Sequence, residues 1–334
     1  ISVPTNPQAP RRMEMILRPQ IYFFFIPLTA VTLIFYAKIL YVLTKRRNEY
    51  NSIFYKLIRT QSVFDISYVL LFMVYDVPQD WPALYPFLIG MNPTIWPQVF
   101  YGQVYACCNG QILGVTLNSV SRMLLLCYPG WRAAKTFDSL SFPLVMLLHY
   151  PFPFAVGLYI YFGQLPSIFK YIEAVDKVTR VTGFEFVQIN SDITAAAAVA
   201  GAIVSSYCYI RVLLVLRTRP FRSWKKEASM YITSFILFIS LCAMTVYYFF
   251  NWFYSITNVP DAMYAWRTNY HWYSFTMSLL NPWCLILTSL KLRVAVFGKF
   301  ASKIGFFVRS TTADQTIEVK RSRKETTTIN PSVI

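Results

Sequence analysis

Seven long apolar runs constrain the fold of this 334-residue chain more than any other feature of its sequence. A helix needs about 20 apolar residues to cross a hydrocarbon core about 30 Å thick. Only 14% of the residues are charged, against about 25% in soluble domains. The sequence therefore predicts an all-α integral membrane protein built as a bundle of seven transmembrane helices. The predicted spans are residues 21–43, 53–75, 99–126, 140–162, 192–216, 229–253 and 270–290.

The basic residues are divided unevenly between the two sides of the predicted bundle. Counted together with Arg122 at the end of the third span, 20 Lys and Arg residues fall on the side of the C-terminal tail, and 7 fall on the other side. Lys and Arg concentrate in cytoplasmic loops of membrane proteins. We therefore predict that the C-terminus is inside the cell and that residues 1–20 form an extracellular N-terminal tail.

The chain beyond the seventh span divides into two parts. In residues 291–308, apolar side chains recur at helical spacing between basic ones, which predicts a short amphipathic helix at the membrane interface. Residues 309–334 are polar and low in hydrophobicity, which predicts a disordered cytoplasmic tail.

Enzymatic and metal-binding motifs are missing from the sequence. The chain has only two histidines, His149 and His271, and its six cysteines include no Cys-x-x-Cys pair. Catalysis and metal binding need clustered bases or ligands. We therefore expect no enzyme, no metal site and no cofactor. The net charge of +16 is spread between apolar runs, which favours a membrane-lipid surface over nucleic acid as its partner.

Short motifs in three spans point to a family. The third span ends in LNSVSRM (residues 117–123), the second contains Asp65, and the seventh contains Asn281-Pro282. This ordering resembles the nematode serpentine chemoreceptors, a superfamily of seven-transmembrane G-protein-coupled receptors, and most of all serpentine receptor class gamma. The resemblance covers about residues 20–300. It implies a small-molecule ligand, a heterotrimeric G-protein partner and a multi-pass location in the plasma membrane, in sensory-neuron cilia.

The outer halves of spans three, six and seven are rich in aromatic residues and carry a few polar side chains. Such a combination suits a small-ligand pocket. Aromatic residues also form belts at the membrane–water interface, and the sequence leaves that alternative open. The candidate ligand-binding residues are Tyr101, Tyr105, Gln111, Tyr248, Asn251, Trp252, His271 and Trp272.

Asp65 lies near the middle of its predicted span. A carboxylate there costs about 2.5–3.5 kcal/mol on insertion scales, so we expect it to face the bundle interior. The resemblance implies a switch network of Asp65, Asn118, Asn281 and Pro282. Proline removes one helical hydrogen bond, and Asn281 can help to satisfy the freed carbonyl or a water. The alternative is a hydrogen-bonded structural residue.

Basic residues on the C-terminal side are candidates for G-protein contact. The resemblance implies that Arg122 has this role together with the loop between spans five and six. Snorkelling and attraction to anionic lipid are alternatives. Residue 121 is Ser rather than an acid, and residues 163–191 contain no cysteine, so this chain departs from the common rhodopsin-like pattern. The candidates are Arg122, Arg217, Arg219, Arg222, Lys225 and Lys226.

A multi-span transporter or a ligand-gated odorant-type channel is the rival interpretation. Transporters usually contain internal repeats with paired broken helices, and we find no repeat. An odorant-type channel of seven spans has its N-terminus inside, which the charge distribution disfavours. A chemosensory receptor is therefore the preferred prediction.

Overall fold

A computed structural model describes residues 9–163, 167–173, 177–218, 221–257, 266 and 270–298 of the chain. For residues 9–21, 184–186, 221–230, 270, 271 and 290 it describes the backbone alone. The described part is a helical bundle with one short β-hairpin. We call the end that carries the loops at residues 44–52 and 128–131 the basic end, and the opposite end the hairpin end.

The first half of the chain forms three long helices, with single helical turns between the second and third of them. Proline occupies the first turn of each of the short segments, where its missing N–H costs little. The proline-rich stretch is therefore helical only in short pieces. The elements are α1 (Ala9–Lys45), α2 (Ile53–Leu71), a π-helical turn (Phe72–Asp76), α3 (Val77–Gln79), a 3-10 turn (Pro82–Leu84), α4 (Tyr85–Gly90) and α5 (Trp96–Cys127).

The second half contains the hairpin and the remaining helices. Pro151 begins α8 directly after α7, and the two helices meet at 45°, because proline removes a helical hydrogen bond and clashes with the preceding turn. The elements are α6 (Arg132–Ser139), α7 (Phe142–His149), α8 (Pro151–Phe162), β1 (Ser167–Ile172), β2 (Lys177–Thr182), α9 (Phe184–Thr218), α10 (Phe221–Ile256), α11 (Tyr270–Thr288) and α12 (Leu290–Phe297).

The length and apolar character of these helices agree with the predicted seven-helix membrane bundle. Five of them can cross a membrane singly: α1, α2 with its extension to Gln79, α5, α9 and α10. The bent pairs α7–α8 and α11–α12 bring the number to seven when each pair is one span. Helix α12 turns away from α11 by 99°, and Ser289 Oγ accepts a hydrogen bond from the Leu292 N–H at this corner. The part of the predicted interfacial helix beyond residue 298 lies outside the described residues.

The β-hairpin is an element that the all-α prediction did not contain. Strands β1 and β2 pair antiparallel, with Ser167 opposite Thr182. Phe169 is buried against Tyr75 of the π-helical turn and Phe100 of α5. Its backbone N–H donates to Asn92 Oδ1 at 2.6 Å, and its carbonyl accepts from Asn92 Nδ2 at 2.9 Å. Hydrogen bonds of this kind hold the hairpin to the bundle in a loop that contains no cysteine.

A buried ion pair adds a second attachment between hairpin and bundle. Lys177 Nζ of β2 lies 3.6 Å from Asp80 Oδ1, and both side chains are less than a tenth exposed. The Tyr22 hydroxyl of α1 donates to the other oxygen of Asp80. Charged partners that are buried together are costly to separate, so these contacts fix β2 over the hairpin end of the bundle.

Helices α5 and α8 approach closely at Gly102 and Gly157. A Cβ atom on Gly102 would lie 2.8 Å from the Gly157 carbonyl oxygen. Small residues allow membrane helices to pack backbone against backbone. The two glycines therefore set the separation of these helices.

The substitution Gly102→Ala is expected to destabilise the bundle by about 1–3 kcal/mol, since the added methyl group overpacks against backbone. Thermal unfolding of the detergent-solubilised protein measures the effect. Gly90→Ala is the matched control, because a Cβ there meets nothing within 4 Å. Equal melting temperatures for the two variants would contradict the close packing.

Candidate functional site

Asp65 is the centre of a buried polar network that joins four helices. Its Oδ2 accepts hydrogen bonds from the Tyr36 hydroxyl of α1 at 2.9 Å and from Asn281 Nδ2 of α11 at 3.0 Å. Its Oδ1 accepts from Gln111 Nε2 of α5 at 3.1 Å and from Gln61 Nε2 of α2 at 3.4 Å. All five side chains are fully or almost fully buried. Four donors therefore surround one carboxyl group.

A second layer of contacts joins α11 more tightly to this network. Gln111 Nε2 also donates to Ser278 Oγ at 2.6 Å, and Gln111 Oε1 accepts from Ser274 Oγ at 3.1 Å. Ser274, Ser278 and Asn281 are spaced three or four residues apart, so they share one face of α11. That face is turned toward Asp65.

The proline of α11 is compensated by α1. Pro282 has no N–H to donate to the carbonyl of Ser278, four residues earlier. That carbonyl oxygen lies 2.7 Å from the Tyr36 hydroxyl. Asn281, for which the sequence suggested this carbonyl or a water as partner, donates from its amide to Asp65, and the Tyr36 hydroxyl donates to the carbonyl.

Arg122 lies near the basic end of α5, where it stacks on an aromatic ring. Its guanidinium carbon is 4.1 Å from the centroid of the Phe54 ring at the start of α2. The arginine is 5% exposed and Phe54 is 2% exposed. A desolvated cation over an aromatic face gains about 2 kcal/mol or more. The residue before Arg122 is Ser121, so no acid precedes the arginine in the sequence. The guanidinium contacts the ring of Phe54 instead.

Arg180 of β2 makes a similar contact at the hairpin end. Its guanidinium carbon lies 3.7 Å from the Tyr101 ring centroid and 5.9 Å from that of Tyr75. The far end of Tyr101 is also engaged, because Asn190 Nδ2 of α9 donates to its hydroxyl at 3.4 Å. Side chains from the π-helical turn, α5, β2 and α9 thus meet at one place.

A family model described as serpentine type 7TM GPCR chemoreceptor Srv matches residues 24–302. The chain belongs to this family. The predicted superfamily is thereby confirmed, and the class named by the match is Srv, where the motifs resembled class gamma most. No curated protein in the comparison matches the chain. Membership in Srv implies a chemoreceptor rather than an enzyme, and a multi-pass membrane protein.

In this Srv chain, the predicted switch residues are only partly brought together. Asp65 and Asn281 are in direct contact, and Pro282 adjoins them. Asn118 is buried, but neither atom of its amide has a hydrogen-bond partner in the described part of the chain. Sequence reasoning missed Tyr36, Gln61, Ser274 and Ser278. The shared face of Ser274, Ser278 and Asn281 is a signal in the sequence that could have revealed two of them.

The predicted ligand-binding residues lie in several separate places. Tyr101 and Tyr105 pack against α8. Tyr248 donates to Cys108 Sγ at 2.9 Å, with Trp252 packed against the same cluster. Asn251 Nδ2 donates to Ser191 Oγ at 2.8 Å, and Trp272 packs against Phe25. Gln111 belongs to the Asp65 network. The side chain of His271 lies outside the described residues.

The predicted G-protein contacts fall around the basic end. Arg122 is buried, whereas Arg217 is exposed in the last turn of α9. Residues 222–226 belong to the first turns of α10, so much of the expected loop is helical. Arg219 and the side chains of Arg222, Lys225 and Lys226 lie outside the described residues.

A groove opens at the basic end between the start of α2 and α6. Its volume is about 530 Å³. Asp138, which lines the groove, accepts a hydrogen bond at its Oδ1 from the Ile53 N–H at 3.0 Å. Lys56 Nζ donates to the Leu140 carbonyl at 2.8 Å. These bonds hold the start of α2 to the end of α6 beside the groove. The lining residues are Asn51, Ser52, Leu125, Pro129, Ala134, Lys135, Asp138 and Ser139.

Proposed function

We propose that this chain is a chemosensory receptor that binds a small ligand at its outer, hairpin end and activates a heterotrimeric G protein at its basic end. In this proposal the basic end faces the cytoplasm of a sensory cell, and the chain lies in its plasma membrane. The single observation that supports the proposal best is the Asp65 network, which joins α1, α2, α5 and α11 through one carboxyl group.

The network is suited to switching because some of its polar atoms have no partner. Within the described residues, Asn281 Oδ1 and Gln61 Oε1 of the network are buried and unpaired, and so is the amide of Asn118, seven residues after Gln111 on α5. Buried polar groups gain from pairing, so a small shift of α11 could exchange one set of hydrogen bonds for another. A ligand that binds one arrangement better shifts the population toward it.

Arg122 is the proposed output of this switch. In the arrangement described here, its guanidinium is stacked on Phe54 and nearly covered. Release from Phe54 would turn the arginine toward the groove at the basic end, where a G protein could accept it. Phe54 then acts as a latch that holds the receptor inactive.

The substitution Phe54→Leu is expected to raise ligand-free nucleotide exchange on the G protein about 30-fold, because loss of the stacked ring removes about 2 kcal/mol from the inactive arrangement. Purified receptor reconstituted with a purified G protein measures this rate. Phe142→Leu is the matched control, since Phe142 stacks on Arg59 at the same 4.1 Å. Unchanged basal exchange in well-expressed Phe54→Leu receptor would exclude the latch.

The proposed function is tested by odorant-stimulated nucleotide exchange. A mixture of volatile and water-soluble odorants is applied to cells that express the receptor with a panel of G proteins. We expect exchange that depends on both receptor and odorant. Current that persists without any G protein would favour the channel, and tags at the two termini exposed on the same cell face would contradict the proposed topology.

A further inference from the structure

Arg180 has buried N–H groups that donate no hydrogen bond to any residue in the described ranges. Both Nε and Nη1 are covered and have no hydrogen-bond partner. Leaving such a donor unpaired costs about 1–3 kcal/mol, and more when the group is charged. An unpaired buried group in a native structure calls for an explanation, such as a functional role, strain, or a water or ion as its partner.

The tyrosine rings beside Arg180 do not supply that partner. Tyr101 and Tyr75 offer their faces to the guanidinium, and this stabilises its positive charge. A ring face is only a weak acceptor for an N–H group. The stacking therefore holds the guanidinium in position while its hydrogen-bonding capacity stays unused.

The carboxylates nearest to Arg180 are already engaged. Asp80 pairs with Lys177 and accepts from Tyr22. Asp76 accepts from Gln79 Nε2 at 3.4 Å, and it is an electrostatic neighbour of both Lys177 and Arg180. Among the described residues, no carboxylate oxygen lies within 4 Å of the Arg180 guanidinium. Of the two bases in this described cluster, only Lys177 is therefore in contact with a carboxylate.

Asn190, at the hydroxyl end of Tyr101, also has a polar atom without a hydrogen-bond partner among the described residues. Its side chain is fully buried and donates to the tyrosine hydroxyl. Its Oδ1 has no partner within the described part of the bundle. Because an amide oxygen accepts and does not donate, it offers nothing to an anion, and only the N–H groups on the Arg180 side of Tyr101 can bind one.

We propose that Arg180 anchors the carboxylate of a small organic acid against Tyr101 and Tyr75. A carboxylate oxygen accepts a strong charge-assisted hydrogen bond from a guanidinium N–H, and the aromatic surroundings suit the apolar body of the acid. A phosphate with two negative charges would exceed what one arginine offsets. This inference rests on the proposed receptor function, and it names the chemical class of the ligand.

The test measures binding to the purified full-length chain in nanodiscs of zwitterionic lipid, without a G protein. The probes are the sodium salts of straight-chain carboxylic acids from acetate to decanoate, and benzoate, each beside its methyl ester at matched ionic strength. At least one acid is expected to raise the melting temperature, while its ester does not. Arg180→Gln should weaken that acid by about 10- to 100-fold, and Arg180→Lys should weaken it less.

Arg59→Gln is the matched control, because Arg59 stacks on Phe142 far from the hairpin end. The affinity of this variant for the acid should equal that of the unaltered chain. The proposal is overturned if no acid stabilises the protein, if an ester does so equally, or if Arg180→Gln binds the acid undiminished. It is also overturned if phosphatidylglycerol in the nanodisc, and no acid, gives the Arg180-dependent stabilisation.

If the Arg180→Gln variant folds poorly, the acid–ester comparison and the Arg180→Lys variant decide whether the carboxylate site exists. Nucleotide exchange stimulated by neutral odorants, together with failure of every acid to bind, would overturn the carboxylate site alone. Failure of all odorants to stimulate exchange would count against the receptor function, whatever the acids do. The two inferences can therefore fail separately.

Discussion

Asp65→Ala is expected to lower the free energy of unfolding of the receptor by about 2–3 kcal/mol. The substitution removes the acceptor of N–H groups of Gln61, Gln111 and Asn281, whereas the Tyr36 hydroxyl keeps the Ser278 carbonyl as its acceptor. Hydrogen bonds inside membrane proteins average about 0.6 kcal/mol each, and each buried group left unpaired adds to the loss. Thermal unfolding in detergent or nanodiscs measures the effect.

Two further variants make this first experiment specific. Glu49→Ala removes an exposed acid that lies 3.7 Å from Lys291 Nζ, and loss of an exposed ion pair should cost less than about 1 kcal/mol. Asp65→Asn keeps the volume and one acceptor oxygen, so it should recover part of the loss. An Asp65→Ala melting temperature no lower than that of Glu49→Ala would contradict the assigned network.

Arg122→Ala is expected to abolish coupling to the G protein, with nucleotide exchange reduced at least about tenfold. Truncating one partner of a buried charged contact at an interface typically costs about 2 kcal/mol or more of binding free energy. The Phe54→Leu background permits the measurement without a known ligand, because that receptor should be active by itself. Adding Arg122→Ala should silence it.

The double variant distinguishes a latch from a general loosening of the bundle. Phe54 acts through Arg122 in our proposal, so the two effects should not add. Arg59→Ala in the same Phe54→Leu background is the control for the loss of a stacked arginine. If Arg122→Ala reaches the cell surface normally and signals undiminished, the role that we assign to Arg122 is wrong.

The spans were predictable because hydrocarbon imposes a length and a composition on every helix that crosses it. The details at their ends were less predictable. The hairpin was missed although both of its six-residue strands contain β-branched residues, because such short runs also suit a loop. Its position depends on Asn92 and Phe169, which are 77 residues apart in sequence.

The candidate sites show the same division. The cost of a buried carboxylate predicted that Asp65 faces the interior, and Asn281 was predicted as its partner from resemblance. Gln111 was assigned to the ligand pocket instead, because a polar residue on a helix gives no indication of which neighbour it will meet. Arg180 was not singled out, since nothing in its local sequence distinguishes it from other basic residues of the loop.

The sequence by itself determined the helical membrane bundle, because backbone polar groups in lipid must be satisfied within each span and only apolar side chains can cover them. Tertiary structure alone decided which donors surround Asp65. Tyr36, Gln111 and Asn281 are 29, 46 and 216 residues away from it. Their meeting depends on the rotation and tilt of packed helices, as do the stacking of Arg122 on Phe54 and of Arg180 on Tyr101.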